Sequence, residues 1–221
     1  MAETYTSFDS LMKGFGVVTV MDAHIYALLD KDAEGKEISY LSGGKALHAG
    51  NFYDTEEVLD TLKIANFTQE GPTKTITGGQ YANPLIKYGK TMTCEMQDAL
   101  GRASTLARFF GCDYAENTGR ISVGDKFPGA FAIEGKTFFI NQKTGEKEWV
   151  YILIPQFLPD AILTLTQDAE GDATVFDLNG SVSVTEIADA AEDINDDSKC
   201  RSVFYEIRKD SWFEGNTGTK S

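Results

Sequence analysis

Short runs of β-branched and aromatic residues recur along most of the chain, and turn-forming residues separate them. Their alternation predicts short strands. The predicted strands are residues 15–21, 24–29, 38–41, 64–69, 73–77, 90–96, 129–133, 137–140, 149–154, 161–167, 173–178 and 202–207. The turn 30–36 joins the second and third of these as a hairpin, and a Gly-Gly break at 78–79 opens a long connection.

Two stretches have helical character. The main one runs over about 98–110, where Leu106, Ala107 and Phe110 share an apolar face and Gly111 provides the stop. A shorter helix is predicted to open at 54–57, because its acidic residues suit the positive end of a helix and can cap free N–H groups.

This order of elements favours a mainly β protein with one packed helix, built as a β-sandwich or barrel. With 221 residues and no clear linker, the chain is predicted to be a single domain over 1–221. Residues 1–13 are expected to be an N-terminal arm, and about 214–221 a flexible C-terminal tail.

Acidic residues dominate the charge. There are 34 Asp and Glu against 20 Lys and Arg, a formal net charge of −14. Phosphate-rich nucleic acid and anionic membranes are therefore unfavourable partners. Residues 148–198 contain no Lys or Arg at all. This stretch is interpreted either as a solvated face or as a surface that repels something negative.

No motif for catalysis or cofactor binding is recognised. A G-x-S-x-G nucleophile elbow and a phosphate-binding loop are both absent, and His24 and His48 are too few for a three-histidine metal site. With 34 acids, paired carboxylates for a glycosidase are too unspecific a signal. The sequence is therefore interpreted as non-enzymatic, with no catalytic residue, cofactor or metal.

Two acidic turns superficially resemble calcium loops. The first, at 30–35, lacks the closing acid because Leu41 stands there, and the second, at 193–197, lacks the glycine and has Phe204 at its closing position. Hairpin turn chemistry accounts for the first turn. Whether either turn binds calcium stays open.

Cysteine usage and hydropathy indicate the compartment. Cys94, Cys112 and Cys200 are odd in number and widely spaced, and the first four residues show no signal peptide, which indicates a reducing compartment. No apolar run approaches the roughly 20 residues of a membrane span.

Two stretches carry a family resemblance. Residues 77–100 read TGGQYANPLIKYGKTMTCEMQDAL and continue towards a helix that stops at Gly111. Residues 154–160 read IPQFLPD, and LTLT, EGD and VFDL follow at 163–166, 170–172 and 175–178. Both resemble the major tail tube proteins of long-tailed bacteriophages, which place a Gly-Gly loop and a strand before a "-DAL-" helix opening.

The resemblance implies two antiparallel sheets with a helix on one flank, in a structural virion protein that self-assembles into stacked hexameric rings. The tube would conduct DNA without binding it specifically, and tail terminator, baseplate or tip, and tape-measure proteins would be further partners. The implied location is the virion tail, assembled in the bacterial host cytoplasm. Acids expected to face the lumen are Asp160, Asp168, Glu170, Asp172 and Asp177.

Two other functions remain open from the sequence. One is another virion β-sandwich module, such as a capsid decoration or carbohydrate-binding domain, which would need an exposed ligand site. The other is an acidic glycoside hydrolase, which would need two carboxylates converging in a cleft. Contractile and non-contractile tails, and phage-derived injection devices, would look alike in this sequence.

Overall fold

The fold is known from a computed structural model. It describes residues 15–17, 22–28, 46–49, 53–59, 62–70, 73–75, 85–87, 91–98, 103–141, 145–160, 165–166 and 175–214. The predicted N-terminal arm, the Gly-Gly loop, the turn 30–36, and residues 215–221 of the predicted tail lie outside these residues.

Strands dominate the described residues. They are β1 (Phe15–Val17), β2 (Asp22–Leu28), β3 (Tyr53–Leu59), β4 (Leu62–Glu70), β5 (Thr73–Thr75), β6 (Leu85–Lys87), β7 (Thr91–Asp98), β8 (Cys112–Ala115), β9 (Arg120–Val123), β10 (Phe131–Asn141), β11 (Lys147–Pro159), β12 (Leu165–Thr166), β13 (Val175–Asp177), β14 (Gly180–Val182), β15 (Thr185–Ile187), β16 (Arg201–Val203) and β17 (Glu206–Arg208). Helix α1 spans Ala103–Phe109, and a 3-10 helix spans Ala191–Asn195.

Eleven of these strands form one sheet. Its main order is β12-β13-β7-β14-β11-β10-β2-β3, with β4 on β7, β1 on β10 and β17 on β11. The pairs β5–β6, β8–β9 and β15–β16 form small separate sheets. All of these ladders are antiparallel.

The sheet folds back on itself into two layers. β3 and β4 lie at distant positions in the strand order, but only residues 60 and 61 separate them in the chain. Their facing ends are therefore within roughly 10 Å of each other. The described ladders do not close into a barrel, so the fold is sandwich-like. The prediction of a mainly β fold with antiparallel sheets and one helix is confirmed.

The main core lies between these layers. The inward face of β7 packs in one cluster with residues of β2, β10, β11 and the end of α1. Its fully buried members include Met96, Phe109, Phe131, Ile133, Ile154 and Phe157. Phe109 lies 5.2 Å from Phe131 and 5.6 Å from Phe157 between ring centroids, distances at which aromatic rings attract each other.

A second core covers the opposite face of β10 and β11. Ala132 and Leu153 pack there with Trp212 and Phe213. The central hairpin β10–β11 is consequently buried on both faces over much of its length, a situation that favours apolar residues at every position rather than alternation.

Glu134 anchors the segment that covers this second core. Its carboxylate is 3% exposed and accepts hydrogen bonds from the Ser211 hydroxyl at 2.5 Å and from the Trp212 backbone N–H at 2.7 Å. Burial raises the pKa of Glu134, and the two donors oppose this rise. The Trp212 indole N–H also donates to the Ala188 carbonyl at 3.3 Å.

The predicted start of the main helix at about 98 is wrong. Asp98 is the last residue of β7, where its backbone pairs with Leu62 on one side and Phe176 on the other. A residue held in two ladders cannot also begin a helix, so the described helix starts at Ala103. Its C-terminal end at Phe109 agrees with the predicted stop.

The predicted short helix at 54–57 is also wrong. These residues belong to β3, which pairs with β2 in a register that sets Glu56 opposite Tyr26 and Leu59 opposite Ala23. Pairing with a neighbouring strand outweighs the local capping preference of Asp54 and Thr55, because helix propensity amounts to less than about 1 kcal/mol per residue.

Candidate assembly surface

A separate hairpin follows the helix. Strands β8 and β9 are joined by residues 116–119, with the Thr118 N–H donating to the Ala115 carbonyl at 3.1 Å and the Gly119 N–H donating to the Glu116 carbonyl at 3.4 Å. Gly119 has a φ of 61°, the left-handed conformation that glycine adopts without strain. A four-residue turn closed in this way is a common hairpin connection.

The two faces of this hairpin differ in polarity. Cys112 pairs with Val123 and Tyr114 pairs with Ile121, and directly opposed residues point to the same side of a sheet. These four residues form what we call the apolar hairpin face. The other face carries Asp113 with Ser122 and Ala115 with Arg120. The hairpin is therefore amphipathic.

The apolar hairpin face is largely uncovered within the subunit. Tyr114 is 37% exposed, Ile121 is 41% exposed and Val123 is 76% exposed. Phe127, shortly after β9, is 89% exposed. Single exposed apolar residues are ordinary, but several on one face of one hairpin mark an interaction surface.

Gly111 fixes the base of the hairpin on the body of the subunit. Its φ is 66°, and a Cβ atom there would lie 2.4 Å from the Lys126 carbonyl oxygen. The backbone of 126–128 therefore packs directly on Gly111, two residues after the end of α1. Lys126 also forms an ion pair with Asp113 on the polar face of the hairpin. These contacts set the direction in which the hairpin leaves the core.

Two depressions lie near this region. One, of about 350 Å³, lies at the base of the hairpin and is lined by Gly111, Cys112, Lys126, Phe127 and neighbouring residues. A smaller one, of about 130 Å³, lies beside Arg108 and Phe131. Neither depression is lined by an Asp or Glu side chain, so neither offers the paired carboxylates that a glycoside hydrolase would require.

The acids expected to face a lumen are only partly described. Asp160 is exposed directly after β11, and its N–H donates to the Asn179 carbonyl at 2.8 Å. Asp177 is half-buried at the end of β13, two residues before Asn179, so these two acids lie on adjacent backbone segments. Asp168, Glu170 and Asp172 lie outside the described residues. Which of these acids face a lumen stays a prediction.

In the second acidic turn, at 193–197, two carboxylates bind residues that follow closely in the chain. Asp193 forms an ion pair with Lys199 at 2.6 Å, and Asp196 accepts hydrogen bonds from Ser198. Across the part of the chain that the structure describes, no three His, Cys, Asp or Glu side chains come together as a metal site requires. The described helices include none with the length and apolar character of a membrane crossing.

An ion-pair cluster secures the strands around this turn. Arg201 bonds both oxygens of Asp189 at 3.0 Å and reaches Glu206 at 2.6 Å, while Arg208 also contacts both acids. Burial alone would raise the pKa of Glu206, but the hydrogen bonds from Arg201 and Arg208 hold it below its usual range. The pKa of Asp189 is also lowered, because Arg201 and Arg208 outweigh the effect of burial. These acids stabilise the subunit as ion-pair partners.

The apolar hairpin face was missed from the sequence. Its signal is readable afterwards: Asn117-Thr118-Gly119 is a turn sequence, and apolar residues alternate with polar ones on both sides of it. The strands are only four residues long, and the sequence pattern therefore predicts no element between the helix and the next predicted strand.

Comparison with known proteins gives one family match. Residues 111–193 match the model of the YomU/Tube protein family, a range that begins at Gly111 and includes β8, β9, β10 and β11. The match supports the resemblance in its coarse form, a phage-like tube-type protein. The narrower assignment to the tail proteins of long-tailed bacteriophages stays a prediction.

The other comparisons add little. No curated protein matches the chain. Among solved structures, a chain of the anti-feeding prophage (AFP) baseplate, from a 6-fold symmetrised cryo-EM structure, is similar with a TM-score of 0.38 and 9% identity, covering 87% of this chain and 95% of that chain. A TM-score this low does not establish a shared fold.

Proposed function

We propose that this chain is a non-enzymatic tube-type subunit of a phage-like tail, which assembles with copies of itself into stacked hexameric rings. The observation that carries the proposal is the amphipathic hairpin β8–β9, whose apolar face is uncovered in the subunit and lies within the range that matches a tube family. A neighbouring copy would bury this face, since burial of apolar surface drives most protein association.

The acidity of the chain suits a conduit. Six copies carry a formal charge of 6 × (−14) = −84, and an acidic inner wall would repel phosphate so that DNA slides without sticking. In this proposal Asp160 and Asp177 belong to that wall, together with Asp168, Glu170 and Asp172. A density map of the assembled tube that shows a neutral or basic inner wall would remove the lumen assignment.

The further partners follow from the same proposal. A tube must end and must connect to other tail parts, so terminator, baseplate or tip, and tape-measure proteins are the partners that we propose. The location is then the virion tail, after assembly in the host cytoplasm.

Assembly of the purified chain tests the proposal. Size-exclusion chromatography combined with negative-stain microscopy should show six-fold rings or open-ended tubes at high protein concentration. A strict monomer under these conditions contradicts the proposed function.

A matched pair of variants tests the hairpin face. Val123→Ser removes an apolar side chain from the face, and Val184→Ser removes the same side chain from an exposed site outside the hairpin, 53% exposed. Burying a valine contributes about 1.5 kcal/mol or more, so Val123→Ser should raise the concentration needed for assembly by about tenfold. Val184→Ser should leave it unchanged. Equal behaviour of the two variants would remove the hairpin from the interface.

A further inference from the structure

A second exposed surface lies on the far part of the central hairpin. The register of β10 and β11 sets Lys136 opposite Tyr151, Phe138 opposite Trp149, and Ile140 opposite Lys147. Directly opposed residues, and residues two apart along a strand, share one side of the sheet. Two lysines and three aromatic residues therefore follow one another on a single face.

The lysines and the rings are in contact. The Lys136 ammonium lies 5.0 Å from the centroid of Trp149 and 5.8 Å from that of Tyr151, and the Lys147 ammonium lies 4.6 Å from the centroid of Phe138. Phe138 and Trp149 meet edge to face at 5.2 Å. We call Lys136, Phe138, Lys147, Trp149 and Tyr151 the cationic ladder. Each ammonium is held by a ring face through cation–π attraction.

Among the described side chains, the two lysines of the cationic ladder have no acidic partner. Neither Lys136 nor Lys147 forms an ion pair with a described residue, whereas Lys126, Lys199, Lys209, Arg201 and Arg208 all do. This is notable in a chain with 34 acids and 20 basic residues. Trp149 is 44% exposed and Lys147 is exposed, so the surface is accessible within the subunit.

A complementary surface lies on the same chain. Glu192 and Asp197 are exposed at the two ends of the acidic turn, and neither forms an ion pair within the described part of the chain, while Asp193 is neutralised by Lys199. The two lysines stand two ladder rungs apart, roughly 13 Å along the strands. The two acids are separated by at most roughly 13 Å, because the 3-10 helix rises about 2 Å per residue as far as Asn195 and Asp196 is extended beyond it. The spacings agree well enough for both pairs to form together.

We infer that the cationic ladder of one copy docks the acidic turn of a second copy, with Lys136 and Lys147 facing Glu192 and Asp197. This contact joins two different surfaces, so each copy offers one surface to each neighbour, and repetition gives a ring or a continuing filament. The inference rests on the proposed function, because it specifies one of the contacts through which copies assemble.

Charge reversal and charge exchange test the contact. Lys136→Glu/Lys147→Glu should raise the assembly concentration by about tenfold or more at low salt, because two attractive pairs become repulsive. Adding Glu192→Lys/Asp197→Lys should restore assembly to within about threefold of the unmodified chain. Loss without restoration, or no loss at all, overturns the inference.

A matched control separates the contact from net charge. Lys209→Glu changes the charge by the same amount as Lys147→Glu, but it lies outside the ladder and pairs with Glu148. Lys147→Glu should weaken assembly and Lys209→Glu should not. Thermal unfolding of each variant is measured alongside, because Lys209→Glu removes the ion pair with Glu148 and Lys147→Glu removes the contact with Phe138. Contacts this exposed contribute about 1 kcal/mol or less, so both variants should remain folded, which separates lost docking from lost folding. Equal effects of the two single variants on assembly contradict the inference.

Failure of the docking is distinguishable from failure of the proposed function. If the unmodified chain forms tubes and the reversed ladder also does, only the docking fails. If no tubes form, the Lys136→Glu/Lys147→Glu variant mixed with the Glu192→Lys/Asp197→Lys variant should give a salt-sensitive complex by sedimentation when the inference holds, and no complex when it is wrong. The reason is that each variant repels copies of itself, whereas both contacts between the two variants are attractive.

The charges on the two surfaces of each variant determine the outcome of the mixing experiment. Alone, the first variant sets glutamates at 136 and 147 against native Glu192 and Asp197, so it repels copies of itself. The second variant alone sets native Lys136 and Lys147 against lysines at 192 and 197, so it also repels copies of itself. In the mixture the reversed ladder of the first variant attracts the reversed turn of the second, and the native ladder of the second attracts the native turn of the first. A complex that contains the two variants in equal amounts therefore supports the docking, and free monomers contradict it. Duplex DNA serves as a rival probe, and binding that depends on Lys136 and Lys147 would assign the ladder to phosphate instead.

Discussion

Two hairpins close together in the chain are used in opposite ways. Over residues 131–134 and 153–157 the β10–β11 hairpin is buried on both faces, by the main core on one side and by Trp212 and Phe213 on the other. The β8–β9 hairpin is largely exposed, and its apolar face is uncovered. Strand pairing alone therefore does not determine whether a hairpin belongs to the folded core or is available for contact with another copy. What decides is whether the subunit itself covers the apolar side chains.

The largest expected effect separates the two hairpins by stability. Phe157→Ala in β11 removes a fully buried ring and should lower the free energy of unfolding by about 3–5 kcal/mol, because a cavity remains in the main core. Val123→Ala in β9 should change it by less than about 0.5 kcal/mol. Urea unfolding of the unassembled chain measures both. Similar losses would show that the exposed hairpin is part of the folding core.

A second prediction concerns the joint between the hairpins. Gly111→Ala should cost about 2–4 kcal/mol, because the left-handed conformation is strained and the new Cβ meets the Lys126 carbonyl. Gly119→Ala, at the turn, has the same sign of φ but meets no atom within 4 Å, and should cost about 1–2 kcal/mol. The difference in unfolding free energy between the two variants measures the cost of the close approach between residue 111 and the Lys126 carbonyl. Equal costs would mean that the 126–128 backbone moves aside freely.

The smallest expected effect is pH-dependent and concerns the second face of the central hairpin. The pKa of Glu134 is raised in the folded chain, so the folded state keeps a proton that the unfolded state has already released. The stability that Glu134 contributes is therefore highest at low pH and falls as the pH rises from the usual glutamate pKa through the folded value. Glu134→Gln removes this dependence.

The measurement is a comparison of two curves. The unfolding free energy of the unmodified chain minus that of the Glu134→Gln variant should decrease as the pH rises through this window. The subtraction cancels the pH dependence that Asp189 and Glu206 of the ion-pair cluster give to both proteins. Their lowered pKa values make the unfolding free energy rise with pH, opposite to the effect of Glu134. Parallel curves would show that Glu134 does not titrate differently in the two states.

The sequence predicted the fold class because alternation and turn residues are local signals. β4 and β7 follow the predicted strands closely, and Phe109 lies at the predicted end of the helix. The sequence predicts two separate strands at 129–133 and 137–140, whereas β10 runs without a break from Phe131 to Asn141 and includes Glu134 and Gly135. The reason is not local, since Ser211 and Trp212, far along the chain, satisfy the buried carboxylate.

The candidate surfaces were harder to predict than the fold. The sequence pattern predicts no strand at Tyr114 or Ile121, because β8 and β9 are only four residues long, although the alternation around both residues is visible in the sequence. The contact of Lys147 with Phe138 depends on the β10–β11 register, which a pattern of apolar residues does not fix to one residue. The lumen acids depend on neighbouring copies, which a single chain does not contain.

The docking of Trp212 on the central hairpin has a consequence for the time course of folding. The contact joins residues 78 positions apart, and contacts of such separation form slowly because a long loop must close first. During synthesis, Ala132 and Leu153 leave the ribosome well before the aromatic pair that covers them. For an interval during synthesis, one face of β10 and β11 is therefore exposed to solvent. Chaperones can bind the exposed apolar side chains during that interval.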